Sequence, residues 1–504
     1  MAMYKKYAFW FWLGVALNFR LLFINRPIFG SDESRILKAS LSFLELWKSL
    51  LYEDVYPPLM YYLLHVWLKI DASDIWIRLF FVLFGVGSCI LIYHISKMLF
   101  SKKKALWAMA FSAISPLLIW SSQYTRAYGP SSFFILLSQF FYFKYFKSPF
   151  RWKWLLLYAC SIYLAIATFY YAVFIFISQG LFLLCIRKNH PSHWKIYTII
   201  FSVISFFAIP LFALAVYQIS HNATNAFEYL QGRGLSYMGV PVGLYIRNIV
   251  SIFGLDPYLT ELPRFSHFLP KKAWLIILIM GTFGTITILH QCFLRLQKLS
   301  YEVRNNLFCL FCLTFLPLLI TFLLEFYTNT APRPRYMIAQ HCFLLIFFVG
   351  LWETISASKL KLITYALVIV IFFQRIGFAI YRPEVEYLKA YEFVLNYENH
   401  PNTCVVGFKF ANYSNLDRLD RLIKLQTFFI KEVSSGNYRL KRNAIRELQQ
   451  TIQGCSTLMI VYHGYDTIYG INRILENWIS NYKYALYEEK KFRGMTVSIL
   501  QLEE

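Results

Sequence analysis

Charged side chains that could act on a substrate lie at the ends of apolar runs in this sequence. Asp32 and Glu33 follow the first apolar run directly, in the stretch FINRPIFGSDESRILKASLSF. Arg126 lies in SSQYTRAYG, and Arg333 and Arg335 lie in EFYTNTAPRPRYM. A carboxylate can remove the proton of a hydroxyl or amine, and arginine binds phosphate and carboxylate groups strongly. Together, these residue types could support the transfer of a group away from a phosphate.

The composition predicts that these residues are held by membrane helices. Of the 504 residues, 58% are hydrophobic and only 15% are charged, and the mean hydropathy is +0.46. A water-soluble chain of this length would divide into domains with a far more polar surface. Here, apolar runs long enough to span a bilayer recur along most of the chain. We therefore predict an α-helical polytopic membrane protein.

We predict about eleven transmembrane helices from these runs. They cover residues 7–24, 75–99, 105–121, 129–146, 154–170, 172–186, 196–216, 273–292, 307–324, 336–354 and 362–380. The net charge of +23 would indicate nucleic acid binding in a soluble domain. Most of the excess positive charge instead lies in short loops between the runs, where basic residues orient membrane helices. We therefore predict no nucleic acid partner.

The basic loops all fall on one side of the membrane if the N-terminus is cytoplasmic. They contain Lys5 and Lys6; Lys102, Lys103 and Lys104; Lys147, Arg151 and Lys153; Arg187, Lys188 and Lys195; Arg295, Lys298 and Arg304; and Lys359 and Lys361. This agreement predicts a multi-pass protein of the inner (plasma) membrane with a cytoplasmic N-terminus. Residues 1–381 would form the transmembrane domain.

Residues 382–504 have a different pattern, which predicts a small extracytoplasmic α/β domain. NTCVVGFKF and CSTLMIVYHG are typical of short buried strands, and YALYEEKKFRGMTVSILQLE is typical of a closing hairpin. NLDRLDRLIKLQTFFIKEV and IYGINRILENWISNY are interpreted as helices. Cys404 and Cys455 begin the two strands. They could pair in an oxidising compartment, and reduced buried thiols fit the pattern equally well.

The predicted topology brings the acid pair and the arginines to the external surface. The short external loops are otherwise poor in basic residues, so arginines there need another reason, such as pairing with a phosphate. Transfer of a sugar from a lipid phosphate needs a base, fixed positive charge at the leaving phosphate and an apolar groove for the lipid tail. Purely structural roles are the alternative: SDES could cap a helix over 34–50, and the arginines could reach lipid headgroups.

Four segments, in order, resemble the GT-C glycosyltransferases, specifically the bacterial relatives of dolichyl-phosphate-mannose–protein mannosyltransferases and the lipid A aminoarabinose transferase. They are GSDESRILKASLSF, YPPLMYYLLHVW, IRLFFVLFGVGSCILIYHISKMLF with SPLLIWSSQYTRAYGPSS, and PRPRYMIAQHCFLLIFFVGLW. The resemblance implies a GT-C fold. It also implies that Asp32 is the catalytic base, that Glu33 supports it or binds sugar or acceptor, and that Arg126 and Arg335 hold the donor's phosphate.

The resemblance also implies further substrate contacts and some departures. Gln123, Tyr128, Arg333 and Tyr336 are the further candidate contacts. Tyr124 stands where many relatives have an acidic residue, and Tyr170 or Tyr171 stands where relatives often have histidine. We therefore predict no metal ligand among these residues, while a divalent cation remains a possible cofactor.

These features predict an integral membrane glycosyltransferase. It would pass a hexosyl or pentosyl group from a polyprenyl-phosphate donor to a lipid, glycan or protein acceptor on the extracytoplasmic face. One alternative is a transporter or flippase of a lipid-linked or anionic substrate, but transporters place ionisable groups near the membrane midplane and often contain repeats. Another alternative is a lipid-linked oligosaccharide ligase or polymerase, which shares the donor chemistry.

Overall fold

The chain is described by a computed structural model. It describes residues 2–22, 24–25, 34–147, 152–188, 191–231, 299–328, 334–351, 393–394, 396, 403–409, 426–434, 437–440, 455–463, 484–492 and 495–502. The chain divides into two compact units. The first contains Met1–Ile24, Phe43–Asn222 and Ser236–Ile380, and the second contains Asn25–Ser42, Ala223–Leu235 and Tyr381–Glu504. The predicted domain boundary at 381/382 stays a prediction.

The described part of the first unit is helical. Its helices are α1 (Ala2–Leu21), α2 (Phe43–Glu53), α3 (Leu59–Trp67), α4 (Asp74–Leu99), α5 (Lys102–Ile114), α6 (Pro116–Gln123), α7 (Tyr128–Lys147), α8 (Trp152–Thr168), α9 (Ala172–Ile186), α10 (Pro191–Gln231), α11 (Tyr301–Thr328) and α12 (Ile338–Leu351). The last residues of α10, from Ala223 onward, are assigned to the second unit. Helix α4 packs against α1, α5, α6 and α7, while α11 packs against α9 and α12.

The predicted spans that fall on described residues are helical, and those at 273–292 and 362–380 lie outside the described residues. Among the described helices, three are long and apolar enough to cross a membrane: Asp74–Leu99, Trp194–Gln218 and Tyr301–Thr321. Helices α5 and α6 would add a fourth span that bends by 57°. The total of about eleven stays a prediction.

The bend between α5 and α6 has a local cause and a buried partner. Pro116 has no N–H, so it cannot bond to the carbonyl of Ser112, and the helix breaks. The fully buried Arg20 at the end of α1 fills the gap. Its Nη2 donates to the Ser112 carbonyl at 3.1 Å, and its Nη1 donates to the Ala113 carbonyl at 3.2 Å. The guanidinium therefore satisfies carbonyls that the break would leave unpaired in an apolar surrounding.

Two short amphipathic helices precede α4. The helix over 34–50 that SDES could cap is divided in the structure into a 3-10 helix at Ser34–Ser40 and the α-helix α2. Helix α3 begins directly after Pro57 and Pro58, as their sequence predicts. The chain segment between α2 and α3 consists of residues 54–58.

The described part of the second unit after residue 400 is a six-stranded sheet. Its strands are β1 (Thr403–Lys409), β2 (Gln426–Ser434), β3 (Asn437–Leu440), β4 (Thr457–His463), β5 (Tyr484–Phe492) and β6 (Met495–Leu502), in the order β3-β2-β1-β4-β6-β5. β1 is parallel to β2 and β4, and the remaining pairs are antiparallel. The predicted strands and the closing hairpin are confirmed.

One predicted helix in this unit is wrong in its second half. The stretch NLDRLDRLIKLQTFFIKEV was interpreted as a helix, but residues 426–433 lie in β2. The segment QTFFIKEV is rich in aromatic and β-branched residues, which favour strands. Its pairing with β1 and β3 decides the structure over the helical spacing of the preceding leucines. The predicted helix IYGINRILENWISNY lies outside the described residues.

Cys404 and Cys455 form a disulfide, which decides between the two alternatives left by the sequence. The bond joins β1 to the residue that precedes β4 by two positions, with Cα atoms 5.9 Å apart. We expect alkylation of the denatured, unreduced protein to leave both thiols unlabelled, and prior reduction to expose them to the label. Peptide mass spectrometry would measure this. Label on Cys404 or Cys455 before reduction would contradict the pairing.

Candidate active site

The turn that carries Arg126 joins α6 to α7 in only four residues. The Arg126 N–H donates to the Tyr124 carbonyl at 2.8 Å, which closes the chain tightly. Gly129 then lets the first turn of α7 approach α6, since a Cβ there would meet the Ser121 carbonyl oxygen at 2.9 Å. The turn is therefore tight, and the first turn of α7 packs closely against the last turn of α6.

Hydrogen bonds to α4 and to the C-terminal end of α1 hold Gln123, the last residue of α6, at the start of this turn. Gln123 Nε2 donates to the carbonyls of Arg20 at 3.0 Å and Leu22 at 2.8 Å. Arg78 Nη1 donates to the Gln123 carbonyl at 2.6 Å. Gln123 is fully buried, and its hydrogen bonds join three helices, so its role in the structure is to hold them together. Its predicted substrate contact stays a prediction.

Arg126 is a buried cation on an aromatic surface. It is only 2% exposed, and its guanidinium carbon lies 4.3 Å from the centre of the Tyr56 ring. Its Nη1 donates to the Tyr61 hydroxyl across a long 3.4 Å, and its Nε has no hydrogen-bond partner among the described residues. A buried guanidinium with unused donors is suited to bind an anion.

Arg335 approaches the same aromatic surface from the short turn that precedes α12. It lies in the 3-10 turn Pro334–Met337, and its Nη1 donates to the Tyr124 hydroxyl at 3.3 Å. Its guanidinium carbon is 5.7 Å from the Tyr128 ring centre. The hydroxyl groups of Tyr128 and Tyr56 bond to each other at 2.7 Å. The two arginines therefore contact the two rings of one hydrogen-bonded tyrosine pair.

Aromatic rings from the turn of Arg335 and from the segment between α8 and α9 complete this surface. Tyr336 packs against Tyr128 at 5.5 Å, Phe169 at 5.3 Å and Tyr171 at 5.0 Å between ring centres. Phe169 also stacks on Tyr56 at 5.9 Å. Tyr171 and Tyr336 are partly exposed, so they form the accessible edge. Aromatic faces bind apolar chains and the carbon faces of sugar rings through dispersion and burial.

A buried carboxylate lies next to Arg126, and sequence reasoning missed it. Asp54 is 1% exposed and follows α2. The Tyr61 hydroxyl donates to Asp54 Oδ2 at 2.7 Å, and the Val55 N–H donates to Oδ1 at 2.8 Å. Its place in the sequence, three residues before the Pro57-Pro58 pair at the start of α3, does not by itself indicate burial or function.

Burial and the neighbouring Asp54 raise the pKa of Tyr61 well above its usual value. The phenol therefore stays neutral at physiological pH. As a neutral group it can donate to the Asp54 carboxylate and accept from Arg126 at the same time. Asp54, Tyr61 and Arg126 thus form a continuous hydrogen-bonded chain.

The structure describes some of the predicted site residues and not others. Arg126, Tyr128, Arg335 and Tyr336 come together as described above. Asp32, Glu33 and Arg333 lie outside the described residues, so their roles stay predictions. Among the described residues, no group of three or more His, Cys, Asp or Glu side chains could hold a metal ion. We assign no metal ligand and derive no step through a metal.

Comparison with known proteins gives one family match. Residues 55–216 match the family described as dolichyl-phosphate-mannose-protein mannosyltransferase. This range contains Tyr56, Tyr61, Arg126 and Tyr128, and it ends before Arg335. A search of curated protein sequences finds no match.

Solved structures similar to this chain cover almost all of it. ArnT from Cupriavidus metallidurans in the apo state matches with a TM-score of 0.55 and 10% identity, over 97% of each chain. ArnT bound to undecaprenyl phosphate matches with a TM-score of 0.53 and 11% identity, over 99% of this chain and 97% of that chain. The oligosaccharyltransferase of Archaeoglobus fulgidus, in complex with Zn and sulfate, matches with a TM-score of 0.52 and 12% identity, over 96% and 73% of the two chains.

At such low identity these likenesses establish the fold. They confirm the predicted class, a helical membrane architecture with a small C-terminal sheet domain. The family match covers the segment that holds Arg126 and its aromatic neighbours. The chain therefore has the fold of the GT-C membrane glycosyltransferases, and the resemblance to that group indicated by its motifs is confirmed.

Proposed function

We propose that this protein is an integral membrane glycosyltransferase that uses a polyprenyl-phosphate sugar. The family match and the GT-C fold support the class of reaction. The observation that carries the proposal is the meeting of Arg126 and Arg335 on the Tyr56–Tyr128 pair. Two guanidinium groups beside an aromatic surface suit a ligand with a phosphate, a sugar ring and an apolar tail.

The proposed reaction is a single displacement at the anomeric carbon of the donor. The acceptor oxygen or nitrogen attacks this carbon, and Asp32 takes the acceptor's proton. The bond between the sugar and the phosphate oxygen breaks, and its electron pair stays on the phosphate. Arg126 and Arg335 stabilise the negative charge that develops there. Attack from the side opposite the phosphate inverts the anomeric configuration.

We propose that the transferred group is a single sugar, hexosyl or pentosyl, and not a whole glycan. The chain covers 97% of ArnT but 73% of the archaeal oligosaccharyltransferase, so its size and architecture fit the first better. One of the ArnT structures holds undecaprenyl phosphate. The acceptor in our proposal is a lipid, a glycan or a protein.

We propose that the reaction takes place on the extracytoplasmic face of the inner (plasma) membrane. The distribution of basic loops supports a cytoplasmic N-terminus. The Cys404–Cys455 disulfide supports an oxidising compartment for the C-terminal domain, since disulfides are rare in the reducing cytosol. Tyr124, Arg126 and Arg335 would then lie at the level of the outer-leaflet headgroups.

The direct test uses the purified full chain in phospholipid vesicles. Polyprenyl-phosphate donors carrying radiolabelled hexoses or pentoses are added with a membrane extract as the source of acceptors. We expect label to pass to an acceptor and polyprenyl phosphate to be released in equal amount. Movement of intact lipid-linked sugar across the vesicle membrane, without bond cleavage, would assign a flippase instead. Transfer of preassembled oligosaccharide but no single sugar would assign a ligase.

A further inference from the structure

We propose that Asp54 and Tyr61 form a positioning relay that orients the Arg126 guanidinium toward the donor phosphate. This inference rests on the proposed function and deepens it. Asp54 directly follows α2 and Tyr61 lies in the first turn of α3, while Arg126 comes from the turn between α6 and α7. The relay therefore joins two parts of the chain that sequence alone does not connect.

The direction of the hydrogen bonds supports this assignment. Arginine can only donate and an ionised carboxylate can only accept, so the Tyr61 hydroxyl between them has one consistent orientation. Its hydrogen points to Asp54 Oδ2 at 2.7 Å, and its lone pairs face Arg126 Nη1 at 3.4 Å. The short bond to the carboxylate fixes the hydroxyl, and the hydroxyl fixes one edge of the guanidinium.

Burial indicates that Asp54 acts through its neighbours and does not touch the substrate. Asp54 is 1% exposed and Tyr61 is fully buried. Each Asp54 oxygen already accepts a hydrogen bond, from the Val55 N–H and from Tyr61. A general base must reach the proton that it removes. We therefore assign Asp54 a positioning role and leave the proposed base at Asp32.

The segment that carries Asp54 is itself clamped in place. Gln218, which is fully buried near the end of the apolar part of α10, donates through Nε2 to the carbonyls of Leu50 at 2.8 Å and Tyr56 at 3.2 Å. Its Oε1 accepts from the Tyr170 hydroxyl at 3.1 Å. These two bonds hold the backbone on both sides of Asp54.

The relay gives the guanidinium one fixed edge and leaves donors for a ligand. Nη1 is engaged by Tyr61 and the face lies on Tyr56, while Nε has no partner among the described residues. A phosphate that binds here would meet donors that are already aligned. Because the Arg126 side chain is ordered before binding, less side-chain entropy is lost when the complex forms. The relay should therefore act on donor affinity more than on the rate of the bound complex.

The test uses the full chain with undecaprenyl phosphate as the probe and the polyprenyl-phosphate sugar as the substrate. Tyr61→Phe removes the bridging hydroxyl and keeps all charges. We expect it to weaken phosphate binding and to raise KM for the donor about 10-fold each, with kcat little changed, because the hydroxyl's hydrogen bonds to two charged groups, Asp54 and Arg126, are lost. Tyr62→Phe removes a hydroxyl from the same helix outside the relay and is the matched control, with affinity unchanged.

A second variant tests whether Asp54 works through Tyr61. Asp54→Asn is expected to weaken probe binding by about as much as Tyr61→Phe, and the double variant is expected to be no worse than Tyr61→Phe alone, since coupled residues are not additive. Thermal melting of each variant in detergent checks that it folds. Additive losses, unchanged KM in Tyr61→Phe or tighter probe binding by Asp54→Asn would overturn the relay. A wild-type chain that binds no undecaprenyl phosphate would instead overturn the proposed function, and the relay with it.

Discussion

Asp32→Asn is expected to lower turnover of the polyprenyl-phosphate sugar by about 10²–10⁴-fold, the range that a positioned general base contributes. Asparagine has the same size but cannot take the acceptor's proton. Binding of undecaprenyl phosphate should stay close to that of the wild type, because the proposed phosphate contacts are Arg126 and Arg335. The measurement is the initial rate of label transfer at saturating donor, with probe binding measured in parallel.

The matched control for this substitution is Asp71→Asn. Asp71 lies in the exposed turn between α3 and α4, where it accepts from the Ser73 N–H at 3.0 Å, outside the candidate site. The control should turn over donor at the wild-type rate. If Asp32→Asn turned over donor as fast as Asp71→Asn, Asp32 would lose its role as the base. The arginine site would then need a different proton acceptor.

Arg126→Gln is expected to reduce kcat/KM by about 10²–10³-fold, the loss found when one preorganised donor to developing negative charge is removed. The glutamine amide can still bond to Tyr61, but it brings no positive charge to the phosphate. Arg126→Lys should recover only part of the activity, because an ammonium keeps the charge without the planar set of donors. Both the donor KM and the affinity for undecaprenyl phosphate should worsen.

Arg304→Gln is the control for the loss of an arginine that lies on a tyrosine ring. Arg304 is exposed at the start of α11, with its guanidinium carbon 5.8 Å from the Tyr301 ring centre. This variant should keep wild-type turnover. Equal rates for Arg126→Gln and Arg304→Gln, with both proteins folded, would remove Arg126 from the phosphate site.

Arg126, Arg335 and Asp54 differ in how far the sequence alone indicates their role. Arg126 and Arg335 were predicted as site residues because they oppose the charge bias of external loops, which is a property of the sequence. Asp54 carries no such signal, since an acidic residue before a helix is common on any surface. Its importance comes from burial and from the bond to Tyr61, and both depend on how the segment between α2 and α3 packs.

The tyrosines show the same limit. Tyr124, Tyr128, Tyr170 and Tyr171 fit an aromatic belt at the membrane surface, and the family resemblance distinguishes only Tyr128 among them, as a candidate contact. The structure instead brings Tyr128 into contact with Tyr56 and Arg335, and Tyr124 into a hydrogen bond with Arg335. The local sequence does not distinguish a tyrosine of the aromatic belt from a tyrosine of the candidate site. Only the contacts in the folded structure distinguish them.

The sequence by itself determined the helical membrane architecture, the closing hairpin of the C-terminal domain and the candidate arginines. These follow from hydrophobic length, turn residues and charge placement, which are local along the chain. The tertiary structure decided the strand at 426–433, the disulfide and the surroundings of Arg126. The last of these is built from residues 54–61, 124–128, 169–171 and 335–336. Their contacts form only when helices far apart in sequence pack together, so their chemistry cannot be read from spacing.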